Sequence, residues 1–351
     1  MFSDRLSIAR SFIKIKHFLQ IILLFLYDFS RGLFVNSIHA IITKIHLKVC
    51  VLSMAFFEKR PFLMILIGLM GISLSSIFVK YSPAPSGVTA AWRLLWSVIL
   101  LCPVVIGNRQ IRSEFTNIQK KNLLLSCLSG LFLAIHFALW FESLQHTSVA
   151  SSTTIVCTEV IWVSLGFLVF LMGKLSAKAI LAIAITLFGS ALIAFSDSSS
   201  ESHLYGDILA LISAIAVAAY TLIGRVVREK LSTSAYTFIV YCTCGISLLV
   251  LCAFQKNSLF AFGAAPAIVG LLLAVFSTIL GHSVFSWCLK YFSPSFVSAS
   301  KLSEPVIAAA LAMVLFGEIP ALIQLIGAFF IIGGVLYYSR IEQAEQANTE
   351  N

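Results

Sequence analysis

From residue 61 to residue 338 the chain alternates long apolar stretches with short polar ones, and the apolar stretches keep one characteristic length. A helix rises about 1.5 Å per residue and the hydrocarbon core of a bilayer is about 30 Å thick, so a crossing needs about 20 mainly apolar residues. Ten stretches meet that requirement: 61–80, 88–107, 123–143, 148–172, 178–195, 207–226, 233–254, 266–290, 294–316 and 320–338. The pattern predicts an all-α integral membrane protein with ten transmembrane helices.

Residues 1–53 do not fit it. Their best apolar run, Phe18 to Tyr27, is about half a span long and is flanked by Arg10, Lys14, Lys16 and Arg31. Three readings stay open: an amphipathic surface segment, a basic and acid-poor targeting peptide, or a mis-assigned start ahead of Met54, which opens a compact MAFFEKRP lead into the first span.

Composition agrees with the span count. Hydrophobic residues make up 59% and charged residues 11%, against roughly 25% charged in a soluble domain. The net charge of +9 suggests nucleic acid only until the basic residues are placed. Lys59, Arg60, Arg109, Arg112, Lys120, Lys121, Lys174, Lys178, Arg225, Arg228, Lys230, Lys290 and Arg340 all fall on one side of the membrane when the ten spans are threaded. The opposite connections hold Lys80 and Lys256, and the linker SDSSSESHLYGD carries three acids and no base. This is the positive-inside asymmetry; it predicts both termini in the cytoplasm and no nucleic-acid partner. The eight cysteines are scattered, mostly within apolar runs and without paired C-x-x-C sets, and read as packing residues rather than a disulfide or metal site.

Sliding the chain on itself by 145 residues aligns Leu144 with Leu289, Ser148 with Ser293, Thr158 with Ser303 and Glu159 with Glu304. A shift of 144 then carries Gly173 onto Gly317 and Gly189 onto Gly333. A repeat of five helices is odd, so its second copy enters the membrane from the opposite face. The expected organisation is an extension over 1–57, a first five-helix repeat over 58–195, a polar linker over 196–206, an inverted second repeat over 207–340 and a tail over 341–351. Inverted repeats characteristically place a binding site near mid-membrane between halves that rock. Stripes of small residues (Gly130, Ala134, Ala138; Ala182, Thr186, Ser190, Ala194; Gly206, Ala210, Ala214, Ala218) read as helix-packing surfaces.

An ionisable group at mid-membrane needs a partner or a wet cavity. Glu159 and Glu304 sit at mid-depth of spans four and nine, in pseudosymmetric positions. Both are candidates for lining a central cavity, where they would bind a cationic group or take up protons. The competing reading is a structural ion pair, and Lys301, three residues before Glu304 on the same helix face, is the obvious partner. Pro305 removes the donor for the Lys301 carbonyl and predicts a kink. Hydroxyls gather ahead of both acids, at Ser148, Ser151, Ser152, Thr153 and Thr154 and at Ser293, Ser295, Ser298, Ser300 and Ser303, either hydrating a vestibule or bonding back to their own helices. His136 and His282 are candidates for proton relay, or are satisfied by neighbouring carbonyls. Arg93, six residues into span two, either snorkels to the outer interface or receives an anionic group. Trp140 is a candidate contact surface for a solute; with Trp92 and Tyr220 it reads otherwise as packing.

The segments FALWFESLQHTSVASSTTIV (137–156), LSEPVIAAALAMVLFGEIP (302–320) and GDILALISAIAVAAYTLIGR (206–225) give the chain a resemblance to ten-span EamA-type members of the drug/metabolite transporter superfamily, over about residues 58–340. The resemblance implies a cavity shared by two inverted repeats and movement of small metabolites such as amino acids, their derivatives or nucleotide-linked compounds. It also implies a multi-pass location, with a bacterial cytoplasmic membrane fitting the family. Val160 follows Glu159 where many members have proline, which puts a symmetric kink in doubt.

The expected function is that of a secondary carrier with no cofactor, its partners being a small solute and the lipid bilayer; protons or a counter-solute as coupling partner, and a homodimer, stay open. A membrane-embedded enzyme would need a reactive cluster, and no H-E-x-x-H, G-x-S-x-G or acidic cluster at a span end occurs. A receptor or assembly partner would need larger loops. No G-x-x-x-x-G-K-[ST] loop supports ATP drive.

Overall fold

The computed structural model describes residues 61–79, 81–147, 149–196, 204–307, 310, 313 and 321–350. The readings made for residues 1–57, for most of the linker and for most of 308–320 lie outside the described residues. The chain divides into two units, Met1–Pro61 with Ala309–Pro320 and Phe62–Ala308 with Ala321–Asn351; the account below concerns the second.

Among the described residues every regular element is helical. In chain order they are α1 (Pro61–Ser73), α2 (Ser75–Val79), α3 (Ser86–Gly107), α4 (Arg109–Thr116), α5 (Lys120–His146), α6 (Val149–Cys157), α7 (Glu159–Phe170), α8 (Ala177–Ser196), α9 (Leu204–Arg228) and α10 (Thr233–Phe254). Then come α11 (Ala265–Leu272), a π-helical segment (Leu273–Ser283), α12 (Val284–Cys288), α13 (Pro294–Lys301) and α14 (Leu322–Glu350). Eight described stretches are long and apolar enough to cross a membrane: Pro61–Val79, Ser86–Gly107, Lys120–His146, Ser151–Phe170, Leu204–Arg228, Thr233–Phe254, Ala265–Cys288 and Leu322–Glu345. Ala177–Ile193 is apolar but shorter. The stretch expected as the ninth span begins in α13 and runs into residues outside the described set. Residues 341–350, expected as a tail, are helical and continuous with α14.

Two apolar clusters hold the elements together. One gathers Leu94, Phe137, Phe141, Tyr236 and Tyr241 where α3, α5 and α10 meet; the other gathers Phe285, Phe292, Phe296 and Tyr338 from α12 to α14. Large apolar residues left outward, such as Leu124, Val169, Phe170 and Phe329, suit a lipid face rather than water. Two of the small-residue stripes meet a neighbouring helix, Gly130 against Val240 of α10 and Ala182 and Thr186 against Gly334 of α14, and a glycine pair beside the second shows how closely. A Cβ on Gly189 of α8 would stand 2.6 Å from the Gly327 carbonyl oxygen of α14, and one on Gly327 would stand 2.7 Å from that of Gly189. Only glycine lets these backbones come so close, and close backbone approach is what packs helices in lipid.

Candidate functional site

The two acid-bearing segments are interrupted in the same way. In α13 the chain tightens after Lys301, with the Leu302 amide donating to the Ala299 carbonyl and the Ser303 amide to that of Ser300, both at 3.1 Å. Pro305 accounts for this, since it has no N–H to offer the Lys301 carbonyl. That carbonyl lies 3.9 Å from the Cys157 thiol, which donates to it from α6. The first half has Val160, not proline, after its glutamate, yet α6 also ends two residues before Glu159. Thr158 closes a tight turn there, its amide (3.0 Å) and its hydroxyl (2.6 Å) both donating to the Ile155 carbonyl. A hydroxyl bonding back to the preceding turn thus accompanies the break in the first half, where proline stands beside the break in the second.

These interruptions bring Glu159, Lys301 and Glu304 to one cavity, with Arg93, His136, Trp140 and His282 on its other walls and Ile72, Ser75, Val156, Cys157 and Val217 completing it. Its volume is ≈ 40 Å³, room for about three waters. All seven candidate residues singled out from sequence thus line a single cavity.

The pairing within it differs from the local expectation. Lys301 Nζ donates to Glu159 Oε1 at 2.8 Å, across 142 positions of sequence, rather than to Glu304 on its own segment. Both side chains of the pair are nearly enclosed, at 10% and 4% exposure. Glu304 faces the cavity with no hydrogen bond or ion pair among the described residues.

Arg93 does not snorkel. It is fully enclosed, and its guanidinium lies 4.1 Å from the centre of the Phe137 ring, a favourable place for a cation over an aromatic face. Its Nε donates to Thr278 Oγ1 at 2.8 Å and Nη1 to Ser75 Oγ at 3.2 Å. The reason is local: the π-helical segment turns Thr278 toward α3, its own hydroxyl donating back to the Leu273 carbonyl five residues earlier at 3.2 Å. Irregular helix of this kind recurs at functional sites. The same segment carries His282, whose ring centroid is 6.2 Å from that of His136. His136 is held from α9, its Nδ1 lying 2.8 Å from Ser213 Oγ and 3.2 Å from the Ser213 carbonyl, and its ring stacks on Trp140 at 5.9 Å and 11°. Trp92 and Tyr220 take other roles: the Trp92 indole donates to the Leu259 carbonyl at 3.1 Å, and the Tyr220 hydroxyl meets Ser286 Oγ at 2.8 Å.

Sequence reasoning missed the residues that hold these groups. Ser75, Thr278, Ser213 and Cys157 are small, scattered among many like them, and carry no spacing signal. It also missed two carboxylates that pin the starts of the acid-bearing segments. Asp207 accepts from Thr147 Oγ1 (2.8 Å) and Ser151 Oγ (3.0 Å). Glu342 accepts from the Ser293 amide (2.6 Å) and hydroxyl (2.8 Å). Part of each hydroxyl cluster therefore serves as an anchor, while the buried side-chain oxygens of Thr153, Thr154 and Ser298 have no hydrogen-bond partner among the described residues.

Comparison with known proteins bears on the family and the fold. The sequence model of the EamA-like transporter family matches twice, over residues 59–195 and 204–340. An "Uncharacterized transporter" of Clostridium kluyveri (strain ATCC 8527 / DSM 555 / NBRC 12016 / NCIMB 10680 / K1) is 23% identical over 270 residues, covering 73% of this chain and 86% of the relative. The "Uncharacterized transporter YyaM" of Bacillus subtilis (strain 168) is 24% identical over 280 residues, covering 77% and 88%. A solved structure described as "Crystal structure of protein" shares the fold, with a TM-score of 0.66 at 14% identity over 82% of this chain and 98% of that one. With two matched repeats spanning most of its length, the chain belongs to the EamA-like transporter family and is a multi-pass membrane transporter.

Proposed function

We propose that the protein is a secondary carrier that moves a small metabolite by alternating access, with ten spans in two inverted five-helix halves over 58–195 and 207–340. Both termini face the cytoplasm, and the membrane is a bacterial cytoplasmic membrane. The observation that carries this reading is the Glu159–Lys301 ion pair, which joins residues 142 positions apart in the two matched repeats on the wall of a cavity that also bears Arg93, His136, His282 and Glu304. A cavity walled by both halves opens to one face or the other as they tilt, and its charges supply the specificity. Glu159, Glu304, Lys301, Arg93, His136, His282 and Trp140 are the proposed solute and coupling residues, with Pro305 shaping the segment that bears two of them.

Purified protein in liposomes, confirmed as folded, tests the reading against a broad panel of amino acids, derivatives and nucleotide-linked compounds. Facilitated, saturable movement of at least one compound is expected, with Glu304→Gln altering its rate or pH dependence. Absence of any movement across the panel contradicts a carrier and favours a receptor or assembly role.

A further inference from the structure

Three groups on the cavity wall have unmet hydrogen-bonding or charge requirements. Arg93 uses Nε and Nη1 on Thr278 and Ser75, while its buried Nη2 has no acceptor among the described residues. Trp140 Nε1, on the same cavity, is a second buried donor without an acceptor among the described residues. Glu304 is the converse, a carboxylate facing the cavity without an ion pair among the described residues, the other carboxylate being engaged by Lys301.

A buried donor left without an acceptor is costly enough that it needs an explanation, and an occupant that supplies the acceptor is one. Two donors, one of them a planar guanidinium, suit an oxyanion, since carboxylate and phosphate match that fork. The open carboxylate suits an ammonium. Charge balance then restricts the ligand further. A lone anion would meet Arg93 and leave Glu304 facing it unpaired; a lone cation would do the reverse at Arg93. A ligand with one group of each sign meets both and adds no net charge to a buried space, where unpaired charge is expensive.

We infer that the cavity binds a compact zwitterion, its oxyanion on Arg93 Nη2 and Trp140 Nε1 and its ammonium on Glu304. This deepens the carrier reading and rests on it for the claim that the bound zwitterion is also moved. Arg93 and Trp140 belong to the first matched repeat and Glu304 to the second, so the ligand itself bridges the two, parallel to the Glu159–Lys301 pair.

Binding to the purified full chain in lipid nanodiscs, followed by tryptophan fluorescence and thermal shift, tests this with matched probes. L-alanine is compared with propionate and ethylamine, L-norvaline with pentanoate and butylamine, and L-phenylalanine with 3-phenylpropionate and phenethylamine. O-phosphoethanolamine, compared with ethyl phosphate and ethanolamine, separates a phosphate from a carboxylate as the oxyanion; its phosphate leaves it about one charge negative near pH 7, so the charge balance expects it to bind less tightly than a neutral amino acid. The expected result is at least one zwitterion that binds at least about tenfold tighter than both its counterparts. Glu304→Gln removes that margin over the oxyanion counterpart, weakening the zwitterion while the counterpart, relieved of the facing carboxylate, binds as tightly as before or more tightly. Should Glu304→Gln not fold, Trp140→Phe keeps an aromatic face but loses the N–H donor and part of the indole's bulk, and thermal shift reads it. It weakens the zwitterion and its oxyanion counterpart together by about three- to tenfold and leaves the ammonium counterpart unchanged. A counterpart that binds as tightly as its zwitterion, a margin that survives both substitutions, or no zwitterion bound across the series overturns the assignment. If liposomes move some other solute while no zwitterion binds, this inference falls and the carrier reading stands. If a zwitterion binds with its margin but nothing crosses, the carrier reading falls and the binding assignment stands.

Discussion

Replacing Lys301 by methionine keeps most of the side chain's volume and removes its charge, leaving Glu159 facing an enclosed space without its partner. At 2.8 Å and an effective dielectric of about 20, the attraction amounts to about 6 kcal/mol. Taking two ions out of water costs several kcal/mol for each, so the pair as a whole contributes close to nothing. Losing one partner is different, because the remaining ion keeps its desolvation cost and loses the offset; such losses run about 3–5 kcal/mol. The few waters that the cavity can hold beside Glu159 put the expected figure near the lower end, about 3 kcal/mol. Adding Glu159→Gln to Lys301→Met removes the stranded charge and should bring stability back to within about 1 kcal/mol of wild type. The assay is a double-mutant cycle, with unfolding in mixed SDS micelles read by tryptophan fluorescence. A cost under about 1 kcal/mol for Lys301→Met, or a double variant as unstable as the sum of the singles, would refute the view that this pair is buried and mutually dependent.

Three further outcomes follow from the geometry. Gly189→Leu should destabilise the fold by about 2 kcal/mol or more, because its Cβ would collide with the Gly327 carbonyl of α14; the same unfolding assay reads it, and Gly333→Ala, with open space around its Cβ, serves as the control. Glu342→Gln weakens the acceptor for the Ser293 amide and hydroxyl, so amide exchange at the start of α13 should speed up by about tenfold, read by hydrogen–deuterium exchange. Arg93→Lys loses the planar fork that reaches both Thr278 and Ser75 and should cost about 1–3 kcal/mol in stability; a neutral result would place the guanidinium elsewhere.

The sequence made the helical architecture legible because span length is fixed by bilayer thickness and polar loops must interrupt it; the helices from Ser86 to Gly107 and from Thr233 to Phe254 fall within a few residues of expectation. The candidate residues were legible for a related reason, since an ionisable group in an apolar run stands out against its background. Their partners were not. The tie between Lys301 and Glu159 is made across two segments far apart in sequence, and a three-residue spacing to Glu304 is the only hint that a one-dimensional reading offers. The 145-residue shift adds only that Glu159 and Glu304 occupy equivalent positions in the two repeats. Arg93 misled because depth along a helix does not tell which way a side chain turns; Thr278 turns it inward, and its hydroxyl is available through a π-helical pitch that composition does not announce. The interruption at Thr158 was hidden for the same kind of reason, since serine and threonine bond back in some helices and not in others.

The central claim, a cavity that opens alternately to each face, is tested most directly through Cys157, a thiol at 4% exposure on the cavity wall. In a variant with the other cysteines replaced, a small membrane-impermeant thiol reagent is applied to right-side-out and to inside-out vesicles. Alternating access predicts labelling from both sides, each suppressed by a transported solute. Labelling from one side only, or from neither in folded and lipid-embedded protein, contradicts it.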